Sequence, residues 1–204
     1  MTQLEIMGAN AKNASVFLRT AGSKKDDALL AIAKALREHS DEIIKANEID
    51  IENGKNAGLT ESLLDRLRLT PERINGMAEG VEQVAALADP IGNVLEGRTL
   101  KNGLNIEKVR VPMGVIGIIF EARPNVTSDA AALCLKAGSA VILRGGKEAI
   151  NSNLAVSEIM RNAVESVGFP KDCIALVKDT SRQSATELMQ LSDYLDVLIP
   201  RGGA

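Results

Sequence analysis

Aromatic side chains are nearly missing from this sequence: of 204 residues one is Tyr, three are Phe and none is Trp. A core of ordinary size must therefore be packed from aliphatic residues, and few rings remain on which bases could stack. The net charge of -3 gives no basic excess to neutralise a phosphate backbone, so nucleic-acid binding is disfavoured. No run approaches the roughly 20 consecutive apolar residues of a membrane helix, and the opening Met1-Thr-Gln-Leu-Glu-Ile6 lacks a basic segment followed by an apolar one. A cytoplasmic protein without a membrane partner is the expectation.

Histidine is equally scarce. His39 stands alone in the charged stretch Arg37-Glu-His-Ser-Asp41, so a histidine metal site or a Ser-His-Asp triad would rest on a residue that reads as surface polar. Two cysteines show no metal-ligand spacing and no disulfide framework, and no metal is expected. Cys134, within Ala131-Ala-Leu-Cys-Leu-Lys-Ala137, reads as a small core hydrophobe, and Cys173 opens an apolar run. Neither has a base nearby in sequence to activate it.

What is present divides the chain into three stretches. Residues 1–91 read as helices. Ser23 is a candidate N-cap ahead of Leu29, Ile32, Ala33 and Leu36 at helical spacing. Thr70-Pro71 is a cap followed by Pro at the first helical position, ahead of Ile74, Met77, Val81 and Val84, with Asp89-Pro90 as the stop. Residues 92–113 form a turn-rich stretch punctuated by Gly92, Gly97 and Gly103, ending in the alternating Ile106-Glu-Lys-Val-Arg-Val111. That alternation predicts a half-exposed strand of the kind that extends a partner's sheet.

Residues 114–204 carry four short apolar runs: Val115–Phe120, Ala140–Leu143, Ile174–Val177 and Asp196–Ile199. Each reads as a strand buried on both faces. Helical stretches at Ala130–Ala137, Asn151–Val167 and Ser181–Leu191 lie between them, with Gly138 and Gly168 placed to end the first two. The order β-α-β-α-β-α-β predicts an α/β fold with a parallel, Rossmann-like sheet whose ligand site lies at the carboxyl ends of the strands. The segments to search are Glu121–Asn125, Arg144–Lys147, Lys178–Ser181 and Arg201–Ala204.

Two of these segments concentrate chemistry. Arg144-Gly145-Gly146-Lys147 pairs glycines that permit close approach to the backbone with two cations suited to an anionic group; the alternative is a turn with two solvated cations. It is no Walker loop, because Glu148 follows Lys147 where Ser or Thr is needed. In Glu121-Ala-Arg-Pro-Asn125, Arg123 offers a fork for a carboxylate or phosphate, and Asn125 either caps the next helix or donates to an oxyanion.

Val111-Pro-Met-Gly-Val-Ile-Gly-Ile-Ile-Phe-Glu-Ala-Arg-Pro-Asn-Val-Thr127, Leu133-Cys-Leu-Lys-Ala-Gly138 and Ala140-Val-Ile-Leu-Arg-Gly-Gly-Lys-Glu148 resemble the signature stretch of gamma-glutamyl phosphate reductases. Gly168-Phe-Pro170 and Leu198-Ile-Pro-Arg-Gly-Gly203 resemble segments of the wider aldehyde dehydrogenase superfamily. The resemblance covers essentially the whole chain. It implies an aldehyde dehydrogenase-like fold of N-terminal helices and a parallel sheet, truncated before the catalytic domain and its cysteine. The implied reaction belongs to proline biosynthesis: a cysteine thiolate attacks gamma-glutamyl phosphate, phosphate leaves, and NADPH reduces the thioester to glutamate 5-semialdehyde.

The resemblance also implies roles for residues. Arg144 matches a lysine that holds the adenosine ribose, and Lys147 stands where relatives preferring NAD often carry a glutamate, which suits the 2'-phosphate of NADP. Gly145, Gly146, Arg201, Gly202 and Gly203 fall at cofactor-contacting positions. Arg123 is expected to hold the acyl phosphate. The superfamily's oxyanion asparagine lies two residues before a proline, a place taken here by Ala122, so that role passes to Asn125. A homo-oligomer and a contact with glutamate 5-kinase are the implied partners. A non-catalytic nucleotide-binding or regulatory module, and a scaffold with no nucleotide affinity, are the competing expectations.

Overall fold

The structure, a computed structural model, describes residues 1–202. Five helices come first: α1 (Gln3–Leu18), α2 (Lys24–Glu38), α3 (Ser40–Asn56), α4 (Glu61–Leu67) and α5 (Pro71–Ala86). Their starts follow from local chemistry. Thr2 and Glu5 form a reciprocal capping box on α1, and the hydroxyls of Thr60 and Thr70 accept amide hydrogen bonds from Leu63 and Arg73. Ser23 sits at the N-cap position of α2 but accepts no such bond, because its backbone is already helical and turns the side chain away from the free amides. The α5 helix ends at Ala86, ahead of Asp89-Pro90, where Leu87 turns to an extended conformation.

The apolar stripes pack as their spacing predicts. Leu29, Ile32, Ala33 and Leu36 of α2 are fully buried, as are Ile74 and Val81 of α5, and the two helices lie against each other. They share one apolar core with the strands. Two lysines enter it with their charges paired: Lys25 Nζ meets Asp89 at 2.9 Å, and Lys136 Nζ meets Asp26 at 2.6 Å and the Ala85 carbonyl at 2.7 Å.

Two strands, β1 (Val94–Thr99) and β2 (Asn105–Val109), form an antiparallel hairpin in which Val94 faces Val109 and Arg98 faces Ile106. The expected strand is therefore present, and its first partner lies in the same chain. In Val94-Leu-Glu-Gly-Arg-Thr99 the glycine and charges hide the strand, so that stretch reads as turn-rich. Every residue of the two strands is exposed, which corrects the expectation of a half-exposed ribbon.

The main sheet contains β3 (Val115–Phe120), β4 (Ala140–Arg144), β5 (Ile174–Leu176) and β6 (Val197–Arg201), all parallel in the order β5-β4-β3-β6. Helices α6 (Asn125–Lys136), α7 (Ile150–Ser166) and α8 (Arg182–Met189) connect them. Strands β4 and β5 lie on one side of β3, and β6 returns to the other, so the chain reverses direction beside β3. Gly138 and Gly168 close α6 and α7 with φ of 67° and 87°, as a left-handed C-terminal turn requires. The β6 strand is only half-buried and ends exposed, contrary to the expectation of burial on both faces: among the described residues it pairs with β3 alone, and Pro200 in it offers no amide.

Candidate functional site

The reversal beside β3 leaves a crevice at the carboxyl ends of the strands, where ligands of open parallel sheets bind. A cleft of about 980 Å³ lies there. Phe120 ends β3 and Glu121 and Ala122 follow it into the cleft, Arg144 ends β4 with Gly146 to Glu148 after it, Thr180 and Arg182 follow β5, and Pro200 and Arg201 end β6 with Gly202 after them. Leu59, Leu63 and Leu67 form its apolar wall from the helical side. All four strand-end segments selected from the sequence contribute to this one cleft.

Arg144 lines the cleft and is half-buried. Its Nη2 donates to the carbonyl oxygens of Thr180 at 2.6 Å and Ser181 at 3.0 Å, while its Nε is buried and has no hydrogen-bond partner among the described residues. The Asp179 carboxyl beside it is held below the usual carboxylate range by the Ser181 amide and hydroxyl, with the Arg144 charge adding to the effect. Lys147 is exposed at the rim. The glycines between them differ in purpose. A Cβ at Gly145 would run into the Asn153 amide and approach the Phe120 ring within 3.1 Å, so this glycine serves internal packing rather than ligand approach. Gly146 lines the cleft itself.

Arg201 and Gly202 line the cleft as well; Gly203 lies outside the described residues. A Cβ at Gly202 would press on the Glu121 carboxylate at 2.9 Å.

Arg123 and Asn125 are placed elsewhere. Both line a second cavity of about 440 Å³, between the α4–α5 segment and the start of α6, together with Arg66, Arg68 and Asp129. Asn125 is not the cap of α6: Pro124 takes that position with φ of -58°, and Asn125, the first helical residue, turns its amide to donate to Asp129 Oδ2 at 3.0 Å. Burial pushes the Asp129 carboxyl up, opposed by the Asn125 hydrogen bond and by the charge of Arg201. A smaller hollow of about 350 Å³ joins the two sites, sharing Arg66 and Arg123 with the cavity and Glu121, Ala122, Arg201 and Gly202 with the cleft.

Neither cysteine reaches these spaces. Cys134 is buried in α6 and Cys173 just ahead of β5, and burial pushes both thiols up to about 12. A thiol so placed stays protonated and is no nucleophile. His39 is exposed at the junction of α2 and α3, 3.4 Å from Glu42.

One part of the site left no local sign in the sequence. Asp50, buried in α3, accepts four hydrogen bonds from the amides and side chains of Asn151 and Ser152 and so caps α7 from another helix. The loop that carries Gly146 and Lys147 leads directly into this clamped helix end. Only a spacing of about a hundred residues links the partners, and no local pattern reveals that.

Solved structures share this fold. The chain is 54% identical over 205 residues to the gamma-glutamyl phosphate reductase of Clostridium beijerinckii, covering all of this chain and 50% of that protein. It superimposes on the crystal structure of gamma-glutamyl phosphate reductase from Thermotoga maritima with a TM-score of 0.97 at 40% identity, over 99% of this chain and 49% of the other. The corresponding enzyme structure from Saccharomyces cerevisiae gives 0.91 at 33% identity, over 100% and 52%. This chain thus spans about half the length of the relatives it matches. The sequence profile described as the aldehyde dehydrogenase family matches residues 2–197, which takes in the helices, the hairpin and the parallel sheet up to the start of β6: the chain belongs to the aldehyde dehydrogenase family.

Proposed function

We propose that this chain supplies the NADP(H)-binding part of a cytoplasmic reductase that converts gamma-glutamyl phosphate to glutamate 5-semialdehyde with release of phosphate, a step of proline biosynthesis. The observation that carries the cofactor half of this reading is the Arg144–Lys147 pair. A buried guanidinium Nε without a partner is costly unless a ligand oxygen supplies one, and a ribose hydroxyl or phosphate oxygen in the cleft would do so. Lys147 at the rim would then meet a 2'-phosphate, where an acidic residue would repel it. When bound, the nicotinamide supplies the hydride. The apolar wall of Leu59, Leu63 and Leu67 keeps water from part of the cleft.

The substrate half rests on the names of the relatives and on Arg123, whose side chain stands beside the hollow that opens into the cleft. In this reading the attacking thiolate comes from a part of the relatives' length that this chain does not span, since Cys134 and Cys173 are buried and protonated. Fluorescence titration of the chain with NADPH and NADH tests the cofactor assignment. Tighter binding of NADPH that depends on Lys147 supports it, and equal binding of the two cofactors refutes it.

The same proposal includes self-association. Val94, Leu95, Leu104, Ile106, Val109 and Val111 are exposed on or beside the β1–β2 hairpin, an apolar ribbon whose strand edges a second copy of the chain can pair with.

A further inference from the structure

The cavity next to the cleft combines both signs of charge. Four arginines, Arg66, Arg68, Arg73 and Arg123, line it against Asp65 and Asp129. Arg73 is committed to Asp65, with Nη2 2.9 Å from Oδ1. Among the described residues Arg66, Arg68 and Arg123 form no side-chain ion pair or hydrogen bond, so three guanidinium groups face the space uncompensated. Asp129 lies with them. One of its oxygens accepts the Asn125 amide, and the other accepts no hydrogen bond among the described residues.

We propose that this cavity recognises the amino-acid head of the substrate, the α-carboxylate against Arg66, Arg68 and Arg123 and the α-ammonium against the free oxygen of Asp129. The inference rests on the reading above that the substrate is gamma-glutamyl phosphate and extends it to the end of the molecule that does not react, which moves Arg123 from the acyl phosphate expected of it to the α-carboxylate. A bare phosphate would satisfy the arginines and be repelled by Asp129. An α-amino acid satisfies both, because its opposite charges sit on one carbon and require a cation and an anion side by side. The connecting hollow supplies the geometry: it shares Arg66 and Arg123 with the cavity and Ala122, Arg201 and Gly202 with the cleft, so a head held at the arginines points its acyl end toward the cofactor site. Asp129 and Arg123 are then specificity residues. They choose the substrate by a group remote from the chemistry and so fix the position of the reacting carbonyl.

Calorimetric or NMR titration of the chain with L-glutamate, glutarate and inorganic phosphate tests this. Glutarate keeps the carboxylates of glutamate and lacks the ammonium group. The parent should bind L-glutamate about tenfold more tightly than glutarate, and Asp129→Asn should erase that preference while leaving glutarate binding in place. Arg123→Met should weaken both by about tenfold, with circular dichroism confirming that each variant is folded. Equal affinity for glutamate and glutarate in the parent, a preference that survives Asp129→Asn, no binding at all, or phosphate binding as tightly as glutamate would each overturn the proposal. NADPH binding measured on the same samples tests the cofactor assignment alone: its absence in the parent refutes that assignment, whereas the glutamate and glutarate affinities decide the present proposal.

Discussion

Ser152 Oγ donates a 2.6 Å hydrogen bond to Asp50 Oδ2 and accepts one of 3.0 Å from Asn47 Nδ2. Asn47 in turn bonds the Leu67 carbonyl and the Leu69 amide at 2.8 Å each. A buried polar chain thus runs from the end of α4 through α3 to the first turn of α7, behind the loop that presents Lys147. Its members are satisfied by one another, which makes the loss of any one expensive.

Asp50→Ala should therefore destabilise the chain by about 3 kcal/mol, the combined scale of a lost helix cap and buried charge-assisted hydrogen bonds. Urea denaturation with an unchanged slope would measure it. A loss under about 1 kcal/mol would show that water replaces the carboxylate at little cost.

Lys147→Glu should lower affinity for NADPH at least about tenfold more than affinity for NADH, since it replaces attraction to the 2'-phosphate with repulsion. Arg144→Ala should weaken both cofactors, because it removes the buried Nε and also frees the Thr180 and Ser181 carbonyls that shape the cleft. Equal losses for both cofactors in the lysine variant would sink the 2'-phosphate assignment.

The hairpin prediction is structural. Val109→Pro places a proline opposite Val94 at the end of the β1–β2 ladder, removing a donor and disturbing the edge offered to a second copy. Sedimentation velocity should show a weakened oligomer. A variant that sediments like the parent would assign the hairpin another role.

Thiol chemistry supplies a fourth test. With both thiols pushed up to about 12, roughly one in ten thousand is thiolate at pH 8. Iodoacetamide should leave Cys134 and Cys173 unlabelled in the native chain and modify both in denaturant. Rapid native labelling of either would reopen its candidacy as a nucleophile.

A fifth concerns acid. Burial works to raise the Asp89 carboxyl, but hydrogen bonds from Lys25 and the Ile91 amide outweigh it and hold the group below its usual range. A depressed folded-state pKa gives stability that is fully present above the unfolded value and is lost as pH falls through the folded one. Asp89→Asn should therefore be less stable than the parent at pH 7, and the difference should shrink on acidification below the ordinary carboxylate range. A difference that stays constant to low pH would assign the loss to geometry alone. Lys25, left buried without its counter-charge, adds to the cost at neutral pH.

Much of the fold was legible because its causes are local. Apolar spacing marked α2 and α5, short apolar runs without polar residues marked β3, β4 and β5, and Gly138 and Gly168 stood where helices close in the left-handed region. The strand ends named the four segments that meet in the cleft, since a parallel sheet places all its carboxyl ends together. The β1 strand escaped because Gly97 and its charged neighbours carry no alternation, and its order comes from pairing with β2. Helix α6 begins at Asn125, five residues before the apolar pattern shows it, because its first turn has a single apolar residue, Val126, and is held by Ser128 and Asp129.

Sequence alone determined the α/β order, the family resemblance and the cationic loop after β4, all of which are written in contiguous residues. Tertiary structure decided which distant groups share a space. It set Gly145 against Asn153 and Phe120, brought Asp50 to the start of α7, and placed Arg123 and Asn125 in a cavity beside the cleft with Arg66, Arg68 and Asp129. Those outcomes depend on how helices α3 to α6 pack around the sheet. Such packing is set by the burial of whole apolar faces, so no short run of residues encodes it.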